Sequence, residues 1–275
     1  VDLVPPDTRL TGHWQRSLLA TTDGRRDATT LVSWLQAGRL YVDLRLPVPA
    51  PAMPGVGCLR DLDRTQARAL ARTEGFAGRL VADGTWARWE RLVDLQPAAP
   101  SPDEGRLVDE GDRVVETGRD GSYVEHWHRV PGPAVPLAAV LLREMSSGAP
   151  AVLVRVGDDV GWARGRPHEL PPGASLADRV EEAAAIRDAQ DLLDTEVAVG
   201  RLGPGGAVLT RSNLPWREGA LLEIGPLMLC ADGERLVTED LAPDGRPVRR
   251  TWQVSTREGD PAALPLSRNP LENRT

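Results

Sequence analysis

Along most of the chain apolar and polar residues alternate with a period of two, in short segments bounded by Gly, Asp and Pro turns, the pattern of half-buried β-strands. Residues 11–21, 29–36 and 39–47 read as a three-stranded meander reversed at Asp23-Gly24 and Ala37-Gly38. A Pro-rich loop follows over 47–57, then a helix over 61–74 stopped by Gly75. Strands resume over 76–81, 85–95, 105–110, 113–117 and 122–130. Pro131-Gly132-Pro133 is the strongest boundary, and beyond it the grammar restarts. Strands are predicted over 137–145, 151–156 and 160–165, then a helix over 175–191 with Ser175 as N-cap. Further strands fall over 193–202, 207–212, 220–224, 226–231, 235–240 and 248–257, and the polar tail from Glu258 is expected to be loosely ordered.

The fold class is therefore mainly β, with two consecutive antiparallel barrels each carrying one short helix, over residues 1–132 and 133–275. A helix interrupting each half suggests a plug or lid, and a jelly roll is the competing architecture. Each half ends in a Trp-bearing strand, with Trp127 in the first and Trp252 in the second. The first half is the candidate for a ligand cavity.

Side-chain parity sharpens that expectation. Strand 39–47 divides into Val42, Leu44 and Leu46 on one face and Tyr41, Asp43 and Arg45 on the other. The ordinary reading turns the aliphatic face inward and leaves Asp43 and Arg45 in water. Five of the eight Trp disturb it, because each begins a Trp-x-Arg pair: Trp14/Arg16, Trp86/Arg88, Trp89/Arg91, Trp127/Arg129 and Trp162/Arg164. Such pairs suit arginines lying over exposed indoles, or a mixed polar and aromatic wall inside a wide barrel. In the second case Tyr41, Asp43, Arg45 and Glu125 are the candidate catalytic groups. Trp14, Arg16, Trp34, Gln36, Trp89, Trp127 and Arg129 are the candidate ligand-binding groups. Asp43 and Glu125 would balance buried guanidiniums, and an arginine left over would receive an anionic ligand.

Composition trims the alternatives. The net charge is −7 over 275 residues, against the basic surface that nucleic-acid binding requires. All 33 basic residues are Arg, which fits GC-rich codon usage and rules out Schiff-base chemistry. No apolar run reaches a membrane-spanning length, residues 1–6 lack the pattern of a secretory leader, and a cytoplasmic location is expected. Cys58 and Cys230 have no metal-ligand spacing and read as inert thiols. His126 and His128 share a face, with His13 the one further nitrogen donor in reach. Structural or surface histidines are the simpler reading, and neither a metal nor a cofactor is expected. The glycines of 200–206 are hairpin turns, since no helix or Lys-Ser/Thr follows them.

The segments Trp14-Gln-Arg, Asp27-Ala-Thr-Thr, Trp34-Leu-Gln and Leu40-Tyr-Val-Asp-Leu-Arg-Leu-Pro47 together resemble the opening of a calycin-like group. Gly75-Phe-Ala-Gly78, Trp89 with Asp94-Leu-Gln-Pro97, and Glu125-His-Trp-His-Arg129 extend the resemblance. Val154-Arg-Val-Gly-Asp158 and Pro215-Trp-Arg-Glu-Gly219 carry it into the second half. The group is similar in plan to lipocalins, fatty-acid-binding proteins and nitrobindins, up-and-down barrels around a central cavity. The lipocalin Gly-x-Trp signature is present only as Gly12-His-Trp14, and no proximal histidine for a haem can be assigned. The resemblance implies binding of a small organic molecule. It equally allows an isomerase, cyclase or lyase of a bacterial biosynthetic pathway working inside the barrel. A third class is an interaction module with an exposed Trp/Arg patch.

Overall fold

The computed structural model describes residues 8–231 and 233–264. The first sheet contains β1 (Gly12–Thr21), β2 (Arg26–Asp27), β3 (Leu31–Ala37), β4 (Leu40–Leu46), β5 (Glu74–Asp83), β6 (Trp86–Asp94), β7 (Glu104–Asp109), β8 (Val114–Gly118) and β9 (Tyr123–Arg129). Neighbours in sequence pair antiparallel, and β1 also pairs with β9, closing an eight-stranded barrel with the two-residue β2 as an annex to β1. The second sheet contains β10 (Leu137–Glu144), β11 (Pro150–Val156), β12 (Asp159–Arg164), β13 (Glu196–Gly203), β14 (Gly206–Ser212), β15 (Leu221–Ile224), β16 (Met228–Cys230), β17 (Gly233–Leu241) and β18 (Pro247–Gly259). It closes through the β10–β18 and β15–β17 pairings, with β16 as its annex. The protein is thus mainly β, two consecutive closed barrels of eight strands each.

The barrels pack side against side, which explains the one strand whose parity had two readings. Val42, Leu44 and Leu46 leave the first barrel outward and meet Val152, Val154, Ala163, Val197 and Val199 of the second in one continuous apolar layer. Each such side chain contributes on the order of 1.5–3 kcal/mol when fully buried. Tyr41, Asp43 and Arg45 consequently face the barrel interior. The ordinary expectation, aliphatic side inward, is reversed because a second barrel supplies the apolar cover that water could not.

The helices differ from expectation. Asp63 caps α1 (Arg64–Leu70), accepting from Gln66 N at 2.8 Å while Gln66 Oε1 accepts from Asp63 N at 2.9 Å. That reciprocal cap starts the helix later than residue 61. Ser175 Oγ accepts from Asp178 N at 3.2 Å and begins α2 (Leu176–Glu182). The expected single helix breaks at Ala183 and restarts as α3 (Ile186–Asp191). Among the described residues neither half carries a helical plug. Leu62, Ala67 and Leu70 pack with Leu176, Val180 and Ala189 into one shared cluster outside both barrels. Glu258 and Gly259 belong to β18, and Glu258 Oε2 accepts from Arg39 N at 2.6 Å across the barrel junction. The tail therefore stays ordered through Leu264, and the expectation for residues 265–275 lies outside the described residues.

Candidate functional site

The interiors of the two barrels differ. In the second, Trp162 and Trp252 meet edge to face at 5.8 Å above a packed aliphatic core. One end is sealed by ion pairs of Arg164 with Asp194 (2.9 Å) and Asp240 (3.1 Å), Arg217 with Glu196 (2.9 Å), and Arg250 with Glu144 (2.9 Å) and Asp240 (2.8 Å). The crevice left there holds about 10 Å³. The first barrel holds a half-open cavity of about 440 Å³, within the size range of small-molecule sites.

That cavity opens between the exposed β1–β2 turn, Thr22 to Arg25, and Ser122 just before β9. Trp34, Trp89 and Trp127 form its inner wall, with Trp34 as the hub. The Trp34 ring lies 5.4 Å from Trp127, 6.1 Å from Trp89 and 6.0 Å from Trp14 behind it. Phe76 and Tyr123 complete the aromatic lining.

Charged groups ring the aromatic wall, and Arg16, Arg45 and Arg91 are each engaged by two carboxylates. Arg16 binds Glu125 at 2.5 Å and Asp27 at 2.7 Å. Arg45 binds Asp43 at 3.0 Å and Glu125 at 3.3 Å, and its guanidinium lies 5.1 Å from the Phe76 ring. Arg91 binds Asp103 at 2.6 Å and Asp94 at 3.0 Å, and its guanidinium also lies over the Phe76 ring, 3.5 Å from the ring centre. At the mouth Arg25 pairs with Asp23 at 2.8 Å. Burial raises the Asp43 carboxyl even against the neighbouring Arg45.

Glu116 is different. It accepts from Tyr123 Oη at 2.7 Å and from Trp127 Nε1 at 3.0 Å, and among the described residues no cation pairs with it. Burial and the negative charge of Glu125, its cross-strand partner, push its pKa up to about 8. Burial and the Glu116 carboxyl in turn raise the Tyr123 phenol well above its ordinary range. Two glycines make room for this pair. A Cβ at Gly105 would lie 2.9 Å from Glu116 Cγ, and one at Gly118 would lie 2.4 Å from Tyr123 Cε1. Gly105 and Gly118 are themselves register partners on β7 and β8, so the wall is thinned where the carboxyl and phenol enter.

No protein-family model matches the sequence, and no curated protein matches it. The solved structures similar to it include two uncharacterised proteins. One is the uncharacterised protein YLR301w of Saccharomyces cerevisiae, 11% identical over 90% of this chain and 98% of that one, with a TM-score of 0.48. The other is a protein of unknown function from the DUF3598 family of Nostoc punctiforme, 8% identical over 92% and 97%, with a TM-score of 0.23. Neither likeness contributes to the functional reading.

Of the residues singled out in the sequence, Asp43, Arg45, Glu125, Trp34, Trp89 and Trp127 line the cavity. Five do not. Tyr41 is wholly buried against Phe76 at 6.1 Å, its hydroxyl without a hydrogen-bond partner, and burial raises its pKa far above the usual range. Trp14 lies behind Trp34, donating to Leu10 O at 2.8 Å. Arg16 sits behind Glu125 and acts on the cavity only through it. Gln36 accepts from Trp34 Nε1 at 3.0 Å and donates to Gly38 O at 2.8 Å, orienting the hub indole from outside. Arg129 covers the Trp14 ring at 4.2 Å and donates to the carbonyls of Arg9 and Thr11 at the far end. Phe76, Arg91, Asp103, Glu116 and Tyr123 were not in the sequence-derived set. Their signals were the parity Tyr123-x-Glu125-x-Trp127, the Trp89-x-Arg91 pair, and glycines 105 and 118 inside strands.

An exposed Trp/Arg patch is not what the Trp-x-Arg pairs form. Trp14, Trp89, Trp127 and Trp162 are buried, and only Trp86 of the five is exposed. His13 Nδ1 meets Asp159 at 3.0 Å across the barrel junction. Among the described residues no three His, Cys, Asp or Glu side chains converge as metal ligands.

Proposed function

We propose that the first barrel is a container for a small, largely aromatic or alicyclic organic molecule, seated on Trp34, Trp89 and Trp127 and oriented by the carboxylates around them. The observation that carries this reading is a contrast among the described residues, since in the second barrel Trp162 and Trp252 close on a packed aliphatic core while the first holds a cavity of about 440 Å³. Keeping an aromatic-lined space open forgoes the packing that a filled core would gain, of order 24 cal/mol per Å³ of cavity. An up-and-down barrel around a central cavity is also the plan of the calycins that the sequence resembles, which supports the same reading.

A second reading, an isomerase, cyclase or lyase without cofactor, is favoured by one observation. Glu116 and Glu125 oppose each other across β8 and β9, one carboxyl holding its proton near neutrality and the other tied to two arginines. A paired acid and carboxylate beside an enclosed substrate is the equipment of general acid–base catalysis. Asp43 and Arg45 would then orient the substrate or offset developing charge.

The test is a thermal-shift screen of small amines, acids and neutral ring compounds against the wild type and Thr21→Trp, whose indole would occupy the mouth. Compounds that stabilise the wild type and lose that effect in T21W are expected. A screen in which no compound discriminates the two proteins would overturn the container reading. Turnover of a bound compound, lost in Glu116→Gln with binding retained, would establish the second reading over simple binding.

A further inference from the structure

Resting on the cavity reading above, we infer that the occupant is an organic cation, an ammonium or amidinium group on an apolar ring or short hydrocarbon body, and that Glu116 is its counter-ion. The charge arithmetic of the cavity points this way. Arg16, Arg45 and Arg91 are satisfied by Asp27, Asp43, Asp94, Asp103 and Glu125, each arginine touching two carboxylates. Among the described residues no guanidinium that lines the cavity lacks a carboxylate, Arg25 at the exposed mouth being paired with Asp23, so the sequence-based expectation of an anionic ligand meets no unpaired cation on the inner wall. Glu116 is the remaining carboxyl, 4% exposed and on the cavity surface, with a donor on each oxygen and no positive charge. A carboxylate offers about four acceptor positions, and Tyr123 and Trp127 occupy two of them.

The groups facing Glu116 come from four elements. Tyr123 and Glu125 project from β9, Asp103 from the segment before β7, Arg45 from β4, and on β7 itself Gly105 leaves the space open. Apart from Arg45 these groups are neutral or negative, and Arg45 is already held by Asp43 and Glu125. In the empty cavity a proton plays the part of the missing cation. When an ammonium enters, Glu116 gives its proton to solvent and the carboxylate pairs with the ligand, so the net charge of the site is unchanged. Trp34 and Trp89 line the same cavity, and aromatic surface beside the charged end favours a cation over a neutral isostere.

The test uses three probes of one shape on the full chain: benzylammonium, benzyl alcohol and benzoate, titrated calorimetrically at pH 7 in buffers of different ionisation enthalpy. Benzylammonium is expected to bind at least tenfold tighter than benzyl alcohol, with benzoate weakest, and to release close to one proton. Its affinity is expected to rise from pH 6 to 8, while that of benzyl alcohol stays flat. Glu116→Gln is expected to bind benzyl alcohol and lose the preference for the ammonium. The wild-type proton release and pH slope make the same test without a variant. Benzoate binding tighter than benzylammonium, or a preference retained in E116Q, would overturn the cation assignment and leave the container standing. Failure of all three probes to bind would overturn both.

Discussion

Glu116 and Glu125 stand directly opposite each other on β8 and β9, both buried, yet only Glu125 has guanidinium partners. The pair divides the work of the cavity wall. Glu125 anchors Arg16 and Arg45, and the charge it carries helps to keep the proton on Glu116.

Stability should follow that proton. Glu116 holds it to about pH 8 when folded, against an ordinary value of 4.5. Between those limits the folded protein binds one more proton than the unfolded chain, so this group's stabilisation is complete at acid pH and is lost as pH rises through about 8. The slope is about 1.4 kcal/mol per pH unit inside the window. Urea denaturation at pH 5, 6, 7 and 8 should show wild type losing stability relative to Glu116→Gln. Parallel curves would contradict it.

Substituting Glu125 should be costly in a way that surface acids are not. Glu125→Ala leaves Arg16 without its closest partner and Arg45 with Asp43 alone, so a loss of about 3–5 kcal/mol is expected. Glu90→Ala, which breaks an exposed pair with Arg88, should cost under about 1 kcal/mol. Chemical denaturation of the two variants checks the contrast.

The glycine behind Tyr123 should be intolerant of even one methyl. Gly118→Ala places its Cβ 2.4 Å from the ring and is expected to cost about 1–3 kcal/mol by overpacking. Gly132→Ala, where no atom lies within 4 Å, should fall within about 0.5 kcal/mol of wild type. Tyr123→Phe in the Gly118→Ala background should not restore stability, because the clash is with the ring and not the hydroxyl.

Leu44 belongs to the layer that both barrels share. Leu44→Ala is expected to cost about 2–5 kcal/mol and to lower the unfolding temperature of the whole chain. Calorimetry showing two separate transitions, of which only one moves, would contradict a common core.

The strand periodicity made both barrels legible, because alternation survives wherever one strand face meets a core. It failed for the helices, where the capping box at Asp63 and the break at Ala183 are local events that an amphipathic pattern over 61–74 or 175–191 does not record. The inward face of β4 was identifiable only as one of two options. What settles it is Val152, Val154 and Val197, residues more than a hundred positions away that cover Val42 and Leu44. Glu116 was missed because its strand, Val114–Gly118, offers a single acid among many in an acidic chain. Its distinction is the absence of a cation, which no spacing encodes. Tyr41 and Arg129 were chosen by parity, and parity gives the face of a strand but not the depth along the barrel axis.

The most direct test of the central claim, that the first barrel holds a small guest, is a crystal structure of the full chain grown with benzylammonium. Density for the ring is expected against Trp34, Trp89 and Trp127, with its nitrogen within hydrogen-bond distance of Glu116. Indoles closed into the space so that no probe fits, with Glu116 turned to solvent, would contradict the account.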